Sequence, residues 1–203
     1  FARWVMVRKR AAEVEVAAPQ VPELPKAVEP QAMKISPPAA LQAKHKSQSG
    51  GARFFDDYAQ GQRIDHVDGV TVEESEHMMA TRLYHNTARV HFNAHTERQG
   101  RFGRRIVYGG HVISIARALS FTGLENAYFI TGINAGRHIA PCFAGDTIYA
   151  CSEIVDKAHS AGNKNWGFLR LRTLAAKDKS CAEFPGKAPD GTLDPAIILD
   201  LDY

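Results

Sequence analysis

The stretch that decides the fold is Arg104-Arg-Ile-Val-Tyr-Gly-Gly-His-Val-Ile-Ser-Ile-Ala-Arg-Ala-Leu-Ser-Phe-Thr122. A short apolar run leads to a glycine pair, after which apolar residues recur so often that little room remains for a polar face. A helix that is apolar on most sides is a buried helix. This one is too short, and too interrupted by His111, Arg117 and Ser120, to cross a membrane. The pattern therefore predicts a central helix around which a domain is built.

The glycine pair Gly109-Gly110 at the start of this helix has two interpretations. Without a Cβ, the backbone can approach a ligand closely, and the first amides of a helix lack internal partners. They also lie at the positive end of the helix dipole, so they can stabilise an oxygen that gains negative charge. The alternative is that the two glycines only allow the helix to pack tightly.

The composition excludes several classes of function. Hydrophobic residues make up 44% of the 203 residues and charged residues 23%, which is ordinary for a globular protein. The formal charge of +3 suits an anionic ligand but is far too small for a nucleic-acid partner. No apolar run reaches membrane length, so no membrane partner is expected. The three cysteines form no CxxC or Cys/His ligand spacing, which favours free thiols in a cytoplasmic protein.

Three regions of different character are predicted along the chain. Residues 1–10 carry bulky β-prone side chains and are expected to form a strand, with Trp4 buried against a sheet edge. Residues 11–53 have prolines spread among Ala, Glu and Gln and end in a Ser/Gly-rich segment, a composition typical of a linker. Residues 54–203 are expected to form the folded domain.

The secondary structure expected within 54–203 is mixed. Thr71-Val-Glu-Glu74 fits a capping box, with Thr71 at the N-cap of a helix that runs to about Tyr84. A further helical turn is expected at His95–Arg98. Strand-like runs follow the central helix, and antiparallel neighbours joined by short turns curl readily around a buried helix. The class is therefore α+β, with four such runs expected at Tyr128–Ile139, Thr147–Val155, Phe168–Ala175 and Ile197–Tyr203.

These residues carry a resemblance to a known family. The chain resembles the MaoC-like hot-dog hydratases, and among them most closely the mesaconyl-CoA (β-methylmalyl-CoA) hydratases. The segments responsible are Arg82–Asn93, Gly100–His111, Pro141–Thr147 and Thr173–Phe184. The resemblance implies a hot-dog fold, an antiparallel sheet wrapped around a buried central helix. It also implies a fused pair of hot-dogs in which 54–203 is the C-terminal repeat and 1–10 the last strand of the preceding repeat, with assembly through hot-dog dimers.

The same resemblance implies a set of site residues. Hydratases of this fold resemble one another in an Asp and, five residues on, a His that together hold one water; here Asn86 and His91 occupy those positions. Histidine has the pKa for taking and returning a proton near neutral pH, whereas Asn can only orient the water. Gly109 and Gly110 are expected to bind the thioester oxygen. The further substrate-binding candidates are Arg89, Arg105, Tyr108 and His111.

Some of these assignments have alternatives. Tyr108 either packs, with its hydroxyl on the backbone, or hydrogen-bonds the substrate, and His111 can face either solvent or the site. A distal carboxylate needs a guanidinium, but Arg105 can equally belong to a solvated turn. Arg137 and Lys177 are unranked candidates for the CoA phosphates.

The expected activity is addition of water to, or its removal from, a branched dicarboxyl enoyl-CoA thioester, with the acyl-CoA as the partner. No metal and no cofactor are expected, since CoA is part of the substrate and the histidines lack an accompanying acidic or thiol ligand set. The alternatives are an (R)-specific enoyl-CoA hydratase for simple acyl chains, a thioesterase of the same fold, and a non-catalytic acyl-CoA-binding half. Thioesterases of this fold resemble one another in a carboxylate on or beside the central helix, so this alternative is disfavoured because 112–122 contains no Asp or Glu.

Overall fold

The computed structural model describes residues 25–33, 49–161, 163–183, 186 and 191–203, with isolated positions at 7, 18, 20, 22 and 23. Apart from position 7, the predicted strand at 1–10, including the burial of Trp4, lies outside these residues, as does most of the predicted linker. The regular elements are β1 (Arg63–Thr71), α1 (Glu74–Leu83), α2 (Ala94–Glu97), α3 (Gly109–Leu119), β2 (Ala135–His138), β3 (Thr147–His159), β4 (Gly167–Lys177) and β5 (Ile197–Asp202).

The strands form one antiparallel sheet in the order β1-β3-β4-β5-β2. The long strands β3 and β4 pair along nearly their whole length and form its centre. The predicted strand at Tyr128–Ile139 was mostly wrong, because only Ala135–His138 pair, and they pair with β5 rather than with the next strand along the chain. The chain therefore crosses from one end of the sheet towards the other between β2 and β3, and these two strands are not the antiparallel neighbours joined by a short turn that were expected.

The central helix α3 packs on the sheet, as predicted. Its buried face consists of Val112, Ile115, Ala116 and Leu119, and it contacts β1, β3 and β4. Burying an aliphatic side chain of this size contributes about 1.5–3 kcal/mol, so this face accounts for much of what holds the helix in place. The α+β hot-dog arrangement is confirmed, and the glycine pair stands at the first two positions of the helix. The helical turn predicted at His95–Arg98 is present one residue earlier, as α2 at Ala94–Glu97.

The predicted capping box at Thr71 was wrong. Thr71 is the last residue of β1, and its hydroxyl hydrogen-bonds that of Thr147 at 2.8 Å. The N-cap of α1 is Glu73, whose N–H donates to the Glu76 carboxylate at 3.4 Å. The three-residue spacing of a capping box occurs again two residues later, between Glu73 and Glu76. Because Thr71 pairs with the sheet, the helix is capped at Glu73 and not at Thr71.

The far end of α3 is fixed by buried polar groups. His66 Nδ1 lies 2.7 Å from the Thr122 carbonyl oxygen, so this nitrogen carries the hydrogen and donates it. Its Nε2 then accepts from the Ser152 hydroxyl at 2.7 Å. Desolvation lowers the pKa of His66, which keeps the ring neutral. The helix is therefore tied to β1 and β3 at the end opposite the glycine pair.

The three cysteines, Cys142, Cys151 and Cys181, are free, as predicted, and all three are buried. Within the described residues, no helix combines the length and apolar character needed to span a membrane.

Candidate active site

His91 ends a short 3-10 turn that is pinned against the segment leading into α3. The Ile106 N–H donates to the Val90 carbonyl at 3.2 Å. The His91 imidazole forms a hydrogen bond with the Ile106 carbonyl, with 3.0 Å between Nδ1 and the oxygen. Arg105 Nη1 donates to the Phe92 carbonyl at 3.2 Å. Three hydrogen bonds therefore hold the His91 turn and the start of α3 in one fixed relation.

The contact with Ile106 also fixes the tautomer of His91. A carbonyl oxygen only accepts hydrogen bonds, so Nδ1 must carry the hydrogen. In the neutral ring Nε2 is then the unprotonated nitrogen, and it is free to take a proton from water. A hydrogen bond to one ring nitrogen thus sets which nitrogen carries the hydrogen. This is the usual way in which proteins prepare a histidine for proton transfer.

The start of α3 presents amides without protein acceptors. His111 and Val112 both donate to the Tyr108 carbonyl, at 2.9 and 3.3 Å, whereas the Gly109 and Gly110 N–H groups meet no backbone acceptor in the described part of the chain. These are the unsatisfied first-turn donors of the helix, with the helix dipole behind them. The geometry suits an oxygen that becomes negative during a reaction.

Both glycines are required by side chains that close over them. A Cβ on Gly110 would lie 2.6 Å from the Tyr108 ring, and a Cβ on Gly109 would lie 2.5 Å from Nε2 of His138. Contacts below 3.0 Å are essentially never seen for a real Cβ. The Tyr108 ring in turn stands edge-on to the His91 ring, with centroids 5.9 Å apart. One site thus brings together His91, Tyr108, His138 and the two glycines.

His138 was missed by the sequence analysis. It ends β2, at the sheet edge, and no motif in its neighbourhood marks it. Desolvation lowers the pKa of His138, and the nearby charge of His91 lowers it further. The imidazole is therefore neutral near pH 7 and stands close to His91.

Asn86 lies in the loop that follows α1. Its N–H donates to the Thr81 carbonyl at 3.0 Å, and its side-chain oxygen accepts from the Ala88 N–H at 2.8 Å. The amide nitrogen of the side chain is left for another partner. No hydrogen bond joins Asn86 directly to His91 among the described residues.

Two of the predicted substrate-binding residues face α1 instead. Arg105 forms an ion pair with Glu74, and His111 Nε2 lies 3.2 Å from the Glu76 carboxylate. Arg89 remains exposed beside the His91 turn. Of the two candidate guanidiniums, Arg89 is therefore the one whose side chain is available to a carboxylate, while Arg105 has a positioning contact.

The cations proposed for the CoA phosphates are partly engaged. Lys177 donates to the Pro141 carbonyl at 3.1 Å and lies 3.4 Å from Asp146. Arg137 lies 3.4 Å from Asp200, with its side chain 69% exposed. Because its side chain is largely exposed, Arg137 is more accessible to a phosphate group than Lys177 is.

Two further features concern other kinds of site. Among the described residues, no three His, Cys, Asp or Glu side chains converge in a way that could hold a metal ion. A cavity of about 160 Å³, lined in part by Tyr58, Arg117 and Tyr203, lies near the far end of α3 and includes none of the predicted site residues. This cavity is therefore separate from the glycine end of the helix, where the predicted site residues lie.

Comparison with known proteins gives one family. A family model described as MaoC like domain matches residues 57–167. Over all 203 residues the chain is 54% identical to beta-methylmalyl-CoA dehydratase of Chloroflexus aurantiacus and 51% identical to mesaconyl-CoA hydratase of Cereibacter sphaeroides. In both cases the chain spans 58% of the relative's length.

Solved structures give the same fold. A protein of Chloroflexus aurantiacus described as a MaoC domain protein dehydratase superposes with a TM-score of 0.83 at 54% identity, covering 97% of this chain and 56% of that one. A Mycobacterium tuberculosis protein described as a double hot-dog superposes with a TM-score of 0.50 at 24% identity, covering 75% of this chain and 42% of that one. At that identity the second likeness concerns the fold alone.

Proposed function

Because the chain belongs to the MaoC-like family, we propose that it is a hot-dog hydro-lyase. Its reaction is the reversible addition of water to a branched dicarboxyl enoyl-CoA thioester of the mesaconyl-CoA or β-methylmalyl-CoA type. Two features carry the proposal: the His91 imidazole, whose Nδ1 is held by the Ile106 carbonyl, and a helix start whose two glycine amides meet no backbone acceptor among the described residues. A base for water and a site for an enolate oxygen are the two requirements of this reaction.

The hydration step uses each of these groups once. His91 Nε2 takes a proton from water as the water oxygen forms a bond to the β-carbon of the enoyl thioester. The electron pair of the double bond moves through the α-carbon onto the thioester oxygen, where the Gly109 and Gly110 amides stabilise it. The enolate then collapses and takes the proton back from His91 at the α-carbon. Dehydration is the reverse sequence.

Asn86 orients the water in this mechanism. Its side-chain oxygen is occupied by the Ala88 N–H, so its amide N–H is the group available to the water oxygen. An amide does not ionise, so both proton transfers pass through His91. One ionising group, rather than two, is expected to shape the pH dependence.

The branched dicarboxyl substrate class rests on the relatives and on Arg89. The two curated relatives are named for β-methylmalyl-CoA and mesaconyl-CoA. The exposed Arg89 guanidinium, next to the His91 turn, can grip a distal carboxylate with two parallel hydrogen bonds. Tyr108, whose ring closes over Gly110, contributes shape to the pocket on this account.

We further propose a cytoplasmic protein that assembles through hot-dog dimers and needs no cofactor beyond the CoA of its substrate. The buried free thiols support a reducing compartment. The edge strand β2 and the exposed apolar side chains of Phe129 and Ile133 support a partner at that side of the sheet.

Mass spectrometry of a small panel of CoA thioesters tests the function. Hydrated product from mesaconyl-CoA at more than about tenfold the rate from crotonyl-CoA is expected, since hydrogen bonds between charged groups contribute about 1.5–3 kcal/mol and only mesaconyl-CoA has the distal carboxylate. Equal rates would indicate a hydratase for simple acyl chains. Release of free CoA would indicate a thioesterase, and binding without turnover would contradict the hydro-lyase.

A further inference from the structure

His138 lies against the first residue of α3, yet sequence motifs give it no role. Its Nε2 would lie 2.5 Å from a Cβ on Gly109, and its Cε1 would lie 2.8 Å from the same point. The edge of the imidazole that carries Nε2 therefore rests directly on the first residue of α3. Gly109 is one of the two glycines whose amides meet no backbone acceptor in the described part of the chain.

Backbone hydrogen bonds of β2 position His138, whereas its ring nitrogens contribute no hydrogen bond among the described residues. Strand β2 fixes the residue through its pairing with Leu199, and the next residue, Ile139, donates to the Ile198 carbonyl at 2.8 Å. The ring nitrogens form no hydrogen bond within the described residues, and the side chain is open to solvent on its remaining side. A positioned donor without a protein partner is suited to a ligand.

The protonation state of His138 fits a donor rather than a base. Desolvation lowers its pKa and the charge of His91 lowers it further, so the ring is neutral near pH 7. A neutral imidazole carries one N–H group. When Nε2 carries that hydrogen, the donor lies beside Gly109.

We propose that His138 is a third donor to the thioester oxygen, beside the amides of Gly109 and Gly110. This inference rests on the proposed hydro-lyase function and adds a residue to its site. As the electron pair moves onto the thioester oxygen, the Nε2–H of His138 donates to it. The remaining proton transfers stay with His91, and His138 gains and loses no proton in the cycle.

The kinetic test compares two substitutions at His138 with a matched control. His138→Phe keeps the ring but removes the donor, and is expected to lower kcat on mesaconyl-CoA by about 10²-fold, as for loss of one oxyanion donor. His138→Gln keeps an N–H donor and is expected to retain about tenfold more kcat than the Phe variant. His159→Phe is the control, because His159 is exposed at the end of β3 and packs edge-on against Phe55.

Two kinetic outcomes overturn the proposal. One is a wild-type kcat in His138→Phe, and the other is equal loss in the Phe and Gln variants. The pH profile of His138→Gln is expected to match that of the wild type, since His138 does not titrate in the reaction. A lost limb in that profile would assign His138 to proton transfer and overturn the donor role.

A binding test separates this proposal from the function on which it rests. In the wild-type chain labelled with ¹⁵N-histidine, a saturated analogue, methylsuccinyl-CoA, is expected to shift the Nε2 resonance of His138. This readout holds even if no thioester is hydrated, so failure of turnover and failure of the His138 assignment are distinguishable. An unchanged resonance at saturating analogue, or no binding of the analogue, would overturn it.

Discussion

Substituting Gly109 by Ala tests the geometry of the site through one added methyl group. The new Cβ would lie 2.5 Å from His138 Nε2 and 2.8 Å from Cε1. Ordinary contact begins near 3.4 Å, so the imidazole or the helix start must move by roughly 1 Å. A misplacement of that size at a reacting centre costs about 10²-fold in rate. We expect Gly109→Ala to lower kcat by about 10–100-fold.

The stability of the same variant is expected to change much less. Overpacking costs about 1–3 kcal/mol, while Ala favours a helix over Gly by up to ~1 kcal/mol. The free energy of unfolding should therefore fall by only about 1 kcal/mol, measured by urea denaturation. Rates are read from the loss of enoyl-thioester absorbance with mesaconyl-CoA.

Gly136→Ala provides the matched control on β2. A Cβ there meets only the flexible end of Leu201, at 3.1 Å. Its kcat is expected to stay within about twofold of the wild type, since a flexible side chain yields readily. A Gly109→Ala protein with wild-type kcat would refute the placement of the reacting centre at the start of α3.

Two further predictions concern Asn86 and the sheet. Asn86→Asp keeps the oxygen that accepts from Ala88, so the fold is expected to be unchanged and activity retained with an added ionisation in the pH–rate profile; loss of the fold would contradict the assigned contact. Asp200 accepts two bonds from Arg172, which hold the pKa of this carboxyl below its usual range. That stability is present above pH ~4 and is lost as the pH falls through the lowered pKa. Asp200→Asn should therefore cost about 1–2 kcal/mol at pH 7, and much less near pH 2, in urea denaturation; an equal cost at both pH values would contradict the ion pair.

The central helix and the three long strands after it were predictable from the sequence because local patterns decide them. The glycine pair and the dense apolar run of 109–119 leave few alternatives to a buried helix, and β3 to β5 are rich in β-prone residues between turn signals. The observed strands are slightly longer or shorter than the predicted ones, as is usual at the ends of secondary-structure elements.

The order of the strands was not predictable, because it depends on contacts that are distant in sequence. Residues 128–134 have strand-like composition, yet only Ala135–His138 find a partner, and that partner is β5, more than sixty positions further along the chain. Thr71 is a similar case. The sequence around it fits a capping box, but Thr71 pairs with β3 as the last residue of β1.

The site was predictable only where the resemblance supplied a motif. His91, Asn86 and the two glycines stand in the loop and helix start that were expected, and their roles remain predictions. His138 carries no motif, and its place over Gly109 follows from the pairing of β2 with β5, which the sequence did not reveal. Arg105 and His111 are adjacent to the motif, but the acidic side chains of α1 engage both.

The proposed hydration mechanism depends most directly on His91 as the base. Its test is the mass-spectrometric detection of hydrated product from mesaconyl-CoA by the wild-type chain and by His91→Ala in parallel, with circular dichroism to establish that both are folded. We expect the wild type to form the hydrated thioester and the folded His91→Ala protein to form none above the uncatalysed background. Hydration by His91→Ala at the wild-type rate would contradict the account.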